Sequence, residues 1–208
     1  MIRFSAHILF LIAFIFPLLC AQTQFSAEIA DTQKPDAPTQ AKVYFAKDKM
    51  RIESQEHNSR GQGVFIMNFA TQTSDVLMTQ QHMYMEMPAR AMNQRALYSF
   101  FRTGDVENAC SDWLKMERTK GGTCRKVGNE TVNGRSAVKY EGTNPGGEPS
   151  SVWPDSKLRF PVKWQGKSSA GELRNIQEGT QSATLFEIPA GYTKMDIGNM
   201  MQQHSPQH

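Results

Sequence analysis

Lys42-Val-Tyr-Phe-Ala-Lys-Asp-Lys-Met-Arg-Ile-Glu53 reads as two short arms meeting at a polar Lys47-Asp48 turn. In the second arm Met50 and Ile52 point one way while Lys49, Arg51 and Glu53 point the other. A period of two marks a half-buried β-strand, because successive side chains leave opposite faces of a pleated sheet. The hairpin arms are therefore Gln40 to Ala46 and Met50 to Gln55. Before them, Phe25 to Ala30 is a strand, ended by the Lys34-Pro-Asp-Ala-Pro-Thr39 loop, whose prolines cannot extend a sheet. After them, Val64 to Ala70 pairs with Asp75 to Thr79, and His82 to Met87 follows. In that last strand Met83, Met85 and Met87 share one face, while His82, Tyr84 and Glu86 share the other.

The period then changes. Met92, Ala96 and Phe100 recur every four residues between Ala89 and Phe101, the stripe of an amphipathic helix. Asp105 can cap a second helix carrying Ala109, Trp113 and Met116, ended by Gly121-Gly122. Strands resume at Lys126 to Val132 and Ser136 to Gly142, flanking Asn133-Gly134, a strong hairpin-turn dipeptide. Ser151 to Leu158, Pro161 to Gly166, Glu172 to Gln177 and Thr184 to Ile188 complete the series. The expected fold is mainly β (α+β), an antiparallel sheet of ten or eleven short strands with two helices inserted midway. No repeat of fixed period and no dividing linker interrupts it. The polar stretch from Met200 to His208 is expected to be a disordered tail, following a domain over residues 22–197.

The N terminus sets the compartment. Arg3 supplies a positive charge, Ile8 to Leu19 is uncharged and apolar, and Ala21 offers a small residue before a polar segment. These are the parts of a secretory signal over residues 1–21. The apolar run is shorter than the roughly 20 residues a membrane helix needs. A retained anchor and lipidation at Cys20 are the alternatives, although Leu19 is larger than a lipid-attachment site prefers. Loss of Arg3 lowers the formal charge from +3 to +2. That charge is too mild to favour nucleic acid, and no basic run is interleaved with aromatics. Cys110 and Cys124 then remain as an even pair in an exported chain, which predicts a structural disulfide. A redox pair would favour closer spacing.

The Lys42–Glu53 stretch, Val64-Phe-Ile-Met-Asn-Phe69, the Met-Tyr-Met-Glu-Met strand and Phe186-Glu-Ile-Pro-Ala-Gly-Tyr192 together resemble the LolA/LolB-like lipoprotein-sorting carriers of bacteria and related periplasmic families. The order of hairpins, helical insertion and closing strand is similar over nearly the whole exported chain. The resemblance implies an unclosed antiparallel half-barrel over helices, with a hollow for acyl chains, in the periplasm or secreted. It also implies a bacterial host, in which the Asn129-Glu-Thr131 sequon has no meaning. The Cys110–Cys124 pair and the richness in Met are departures from the sorting carriers.

An unclosed barrel cannot fill its inner face with its own side chains, and uncovered apolar surface favours a ligand at about 25 cal/mol per Å². Unbranched Met adapts to ligands of variable shape. Met67, Met78, Met83, Met85, Met87 and Met92, with Phe100, are the candidate cavity residues; the other reading is that the methionines fill an ordinary core. Arg51 is the candidate polar contact at the cavity mouth, against a solvated strand face with cross-strand ion pairing. No cofactor and no structured metal site are expected. Met with His suits Cu(I), but His82 and Met83 face opposite ways, and Met200, Met201, His204 and His208 lie in the tail. The chain has no His-Glu-x-x-His, no Gly-x-Ser-x-Gly and no phosphate-binding glycine loop. The function expected is a non-enzymatic carrier for a lipid or acylated lipoprotein, touching membranes only peripherally. The alternative is an envelope sensor of the same fold that binds another envelope protein.

Overall fold

The computed structural model describes residues 23–34, 36, 39–54, 63–88, 105–114, 121–167 and 169–195. The first meander is β1 (Phe25–Asp31), β2 (Ala41–Ala46), β3 (Lys49–Ser54), β4 (Gly63–Asn68), β5 (Thr73–Met78) and β6 (Met83–Pro88). The second is β7 (Thr123–Val132), β8 (Arg135–Thr143), β9 (Pro149–Pro154), β10 (Pro161–Gly166) and β11 (Ala170–Glu178), with β12 (Thr193–Lys194) following. All twelve belong to one sheet in the order β12-β6-β5-β4-β3-β2-β1-β11-β10-β9-β8-β7. Pairing is antiparallel except between β12 and β6. The terminal strands of that order do not meet, so the sheet is open.

The joint between the meanders is β1, which pairs with β2 on one side and β11 on the other. Phe25 stacks on Phe45 at 5.6 Å and meets the edge of Phe160 at 5.1 Å. Phe45 and Phe160 lie 5.5 Å apart, although β2 and β10 are three strand spacings from each other in the sheet order, about 14 Å on a flat surface. The sheet therefore curls around these rings, and the face carrying Phe25 and Phe45 is its inner face. Met50, Met67, Leu158, Val162 and Leu173 complete the same buried cluster.

Local chemistry accounts for the turns. Asn133 (φ 49°) and Gly134 (φ 77°) both occupy the left-handed region, the type I′ turn that their dipeptide predicts. At the β9–β10 connection the Asp155 carboxylate is 1% exposed. It accepts from Lys157 and Leu158 backbone N–H groups at 2.9 and 2.7 Å and from Arg135 Nε at 2.7 Å. Arg135 also reaches Glu178 on β11 at 2.9 Å, tying three parts of the second meander together.

One short helix, α1 (Ala109–Trp113), follows a single 3₁₀ turn at Val106–Asn108, and Asp105 caps that turn by accepting from Glu107 N at 2.9 Å. Ala109 and Trp113 face the sheet as their spacing predicts, packing with Val106 on Val138, Tyr140 and Val152. Tyr140 Oη donates to the Val106 carbonyl at 2.7 Å, which pins the turn to β8. The predicted Cys110–Cys124 disulfide is formed and fastens α1 to β7. The first predicted helix, with Met92 and Phe100, lies outside the described residues, as do Met116, the signal segment and the tail.

The described residues form a mainly β, open antiparallel sheet of twelve strands, the fold class expected. One expectation is corrected. The segment predicted as a last strand at Thr184 to Ile188 is instead a 3₁₀ turn, Ala183–Phe186, because Phe186 buries itself against the outside of the sheet and finds no strand to pair with. Strand pairing comes later, at Thr193–Lys194.

Removing the Arg135 side chain leaves the buried Asp155 carboxylate with backbone donors alone. Arg135→Ala is expected to destabilise by about 3 kcal/mol, the lower end for a buried pair that loses one partner, measured by urea unfolding. A loss below about 1 kcal/mol, the worth of an exposed ion pair, would contradict this assignment.

Candidate ligand-binding face

Strand register gathers the inner-face residues of the first meander into three rows. Phe45, Met50, Met67, Ser74 and Met87 stand opposite one another in turn across β2 to β6. The second row runs Val43, Ile52, Phe65, Val76 and Met85. The third is Gly63, Met78 and Met83.

The first row is sealed from Phe45 through Ser74 and half-buried at Met87, whereas the second is half-buried from Ile52 onward. Met50 and Met67 are 0% and 1% exposed, pressed into the aromatic cluster. Val76, Met78, Met83, Met85 and Met87 are only half-buried. A Cβ built on Gly63, at the end of the third row beside Met78, would touch nothing within 4 Å among the described residues. The candidate methionines thus divide. Met67 is a core residue, buried in the cluster that holds Phe45 and Phe69, and it is not free to line a cavity. Met78, Met83, Met85 and Met87 form a contiguous half-open apolar surface. Ile52, Phe65 and Val76 belong to the same surface and were not picked out from the sequence, since a search for Met alone misses the neighbours that register supplies.

A cleft of about 400 Å³ lies elsewhere, at the far end of β7 to β9. Thr123, Arg125, Glu141, Ser150 and Ser151 give it polar walls, and it shares no residue with the methionine surface.

Arg51 is not at the mouth of the inner face. It stands between Tyr44 and Ile66 on the outer face, where strand alternation sends it. Its Nε binds Glu53 at 2.6 Å and its guanidinium donates to the Leu185 carbonyl at 2.9 Å. The segment so held is the Phe186–Tyr192 stretch, which crosses the outside of β2 to β6. Phe186 packs there on Val64, Ile66 and Leu77. Beyond it Thr193 N donates to the His82 carbonyl and Met195 N to the Tyr84 carbonyl, both at 2.8 Å, and Lys194 reaches Glu86 at 3.3 Å. The arrangement is a strap that covers the β6 edge.

Beneath the strap, Asp75 stands directly opposite Glu86. Its Oδ1 is buried without a hydrogen-bond partner. Burial raises the Asp75 pKa above the usual carboxylate value and the Glu86 charge raises it further, while Lys194 acts in the opposite sense.

No family model matches the sequence, and comparison with curated proteins finds no match. Among solved structures, an uncharacterized conserved protein from Thermus thermophilus aligns over 85% of this chain and 91% of its own, with 11% identity and a TM-score of 0.53. PNGF-II aligns over 86% of this chain at 9% identity and a TM-score of 0.50, and this chain spans 32% of that protein. A LolA superfamily protein from Nitrosomonas europaea aligns over 83% of this chain and 91% of its own, at 12% identity and a TM-score of 0.31. What this chain shares with the first two, at 11% and 9% identity, is the fold alone.

Because its folded pKa is raised, Asp75 holds a proton at pH values where the unfolded chain has already released it. Its contribution to stability therefore declines as pH rises through the folded value. Asp75→Asn should melt on the order of 3 °C above the parent at pH 7, and the gain should vanish below about pH 4. Scanning fluorimetry across that range checks it, and a gain that does not change with pH would contradict the assignment.

Proposed function

We propose that this chain is an exported, non-enzymatic carrier of the bacterial envelope that holds an apolar ligand, a lipid or the acyl chains of a lipoprotein, on the β5–β6 end of its inner face. One observation carries the reading: Met50 and Met67 are sealed in the aromatic core, whereas Met78, Met83, Met85 and Met87 of the same face are only half-buried. A core that ended there would bury those side chains or replace them with polar ones. Four flexible thioether chains at half-burial instead make a surface able to fit acyl chains of different shape, each buried methylene contributing about 0.8 kcal/mol. The signal-like N terminus and the disulfide support an oxidising compartment outside the cytoplasm. A protein-binding module of the same fold has its own support in the edge strand β7, on whose outer side no described strand lies.

A dansyl-labelled long-chain fatty acid should brighten on binding the purified protein. Met85→Lys, placing a charge in the middle row, should weaken that binding by about tenfold or more, whereas Met85→Leu should leave it nearly unchanged. Absence of binding by the parent, or equal affinity in the lysine variant, would overturn the proposal.

A further inference from the structure

The two ends of the sheet are treated differently. The β6 edge is covered by the strap through β12. At the other end β7 is the longest strand of the sheet, and no described strand lies on its outer side. A long uncovered edge exposes a row of backbone donors and acceptors that natural proteins either block or use.

We propose that β7 is a self-association edge: two copies of this chain pair antiparallel through β7 about a two-fold axis at Val127–Gly128. Register supports this particular alignment. The two-residue turn makes Val132 and Arg135 a pair that exchanges hydrogen bonds. Alternation along the ladder then turns the backbone groups of Thr131 and Asn129 outward. The irregularity between Lys126 and Gly128 inserts one residue and reverses the alternation, so that Lys126 and Cys124 also turn theirs outward. Pairing about Val127–Gly128 sets Lys126 against Asn129 and Cys124 against Thr131 of the second copy. Outward-facing groups therefore meet outward-facing groups on both halves.

Charge fits the same alignment. Arg125 falls opposite Glu130 of the second copy, and the symmetry repeats the pair. Both leave the same face, since they stand opposite Glu141 and Ala137, four residues apart on β8. Within its own chain Arg125 reaches Glu141, and Glu130 accepts from Trp153 Nε1 at 2.7 Å. Their side chains are nevertheless 70% and 44% exposed, leaving room for the new contact. Val127, one of two large apolar residues left exposed at 42% and 39% among those described, lies on the axis itself.

Sedimentation velocity over a concentration series is expected to show a monomer–dimer equilibrium. Arg125→Glu should weaken it by about tenfold, and the exchange Arg125→Glu with Glu130→Arg should restore it. Under mild oxidation, a mixture of Arg125→Cys and Glu130→Cys proteins should cross-link while neither alone does. A monomer at the highest attainable concentration overturns the proposal. So does a dimer indifferent to Arg125→Glu, or a cross-link formed by either cysteine variant alone.

Discussion

The pairing of β1 with β11 is the contact on which the rest of the sheet depends. Each meander forms from strands that are neighbours in the chain and pair antiparallel. Only β1 brings the two together, binding β2 with one edge and β11, far away in the chain, with the other. Such a pairing, Glu28 opposite Arg174, bears the loop-closure entropy of most of the chain. It is held by Phe25, which is fully buried between Phe45 of one meander and Phe160 of the other. Once that aromatic group is in place, the sheet curls and the positions of both free ends are decided.

The consequence is a contrast in burial. Phe45, Met50 and Met67 are sealed, whereas the methionines of β6 and Met78 of β5 are half-buried. Met67 and Met85 sit on the same face of neighbouring hairpins and differ in burial because of their distance from the aromatic cluster. The outer face has the opposite solution: the Phe186–Tyr192 strap fills it, with Arg51 anchoring the strap's backbone through the Leu185 carbonyl. Among the described residues, the half-buried methionines thus lie at one end of one face.

Much of this was legible in the sequence because it is local. Alternation marked the strands of both meanders, Asn133-Gly134 marked its turn, and the even cysteine count marked the disulfide. What could not be read is what depends on distance along the chain. Nothing in Phe25 to Ala30 says that it will lie beside β11. Arg51 looked like a ligand contact since its partner is a carbonyl 134 residues away. Thr184 to Ile188 carries a strand-like pattern, but its apolar residues serve packing across the sheet and not pairing within it. The methionines allowed either a cavity or an ordinary core; burial puts Met67 in the core and leaves Met78, Met83, Met85 and Met87 half-buried.

The central claim is that the inner face changes from sealed core to open apolar surface between β4 and β6. Methionine oxidation by dilute peroxide, followed residue by residue with mass spectrometry, tests it directly. Met78, Met83, Met85 and Met87 should oxidise much faster than Met50 and Met67, and a long-chain fatty acid should slow the fast group alone. Uniform protection of both groups, or oxidation rates untouched by the fatty acid, would contradict the account.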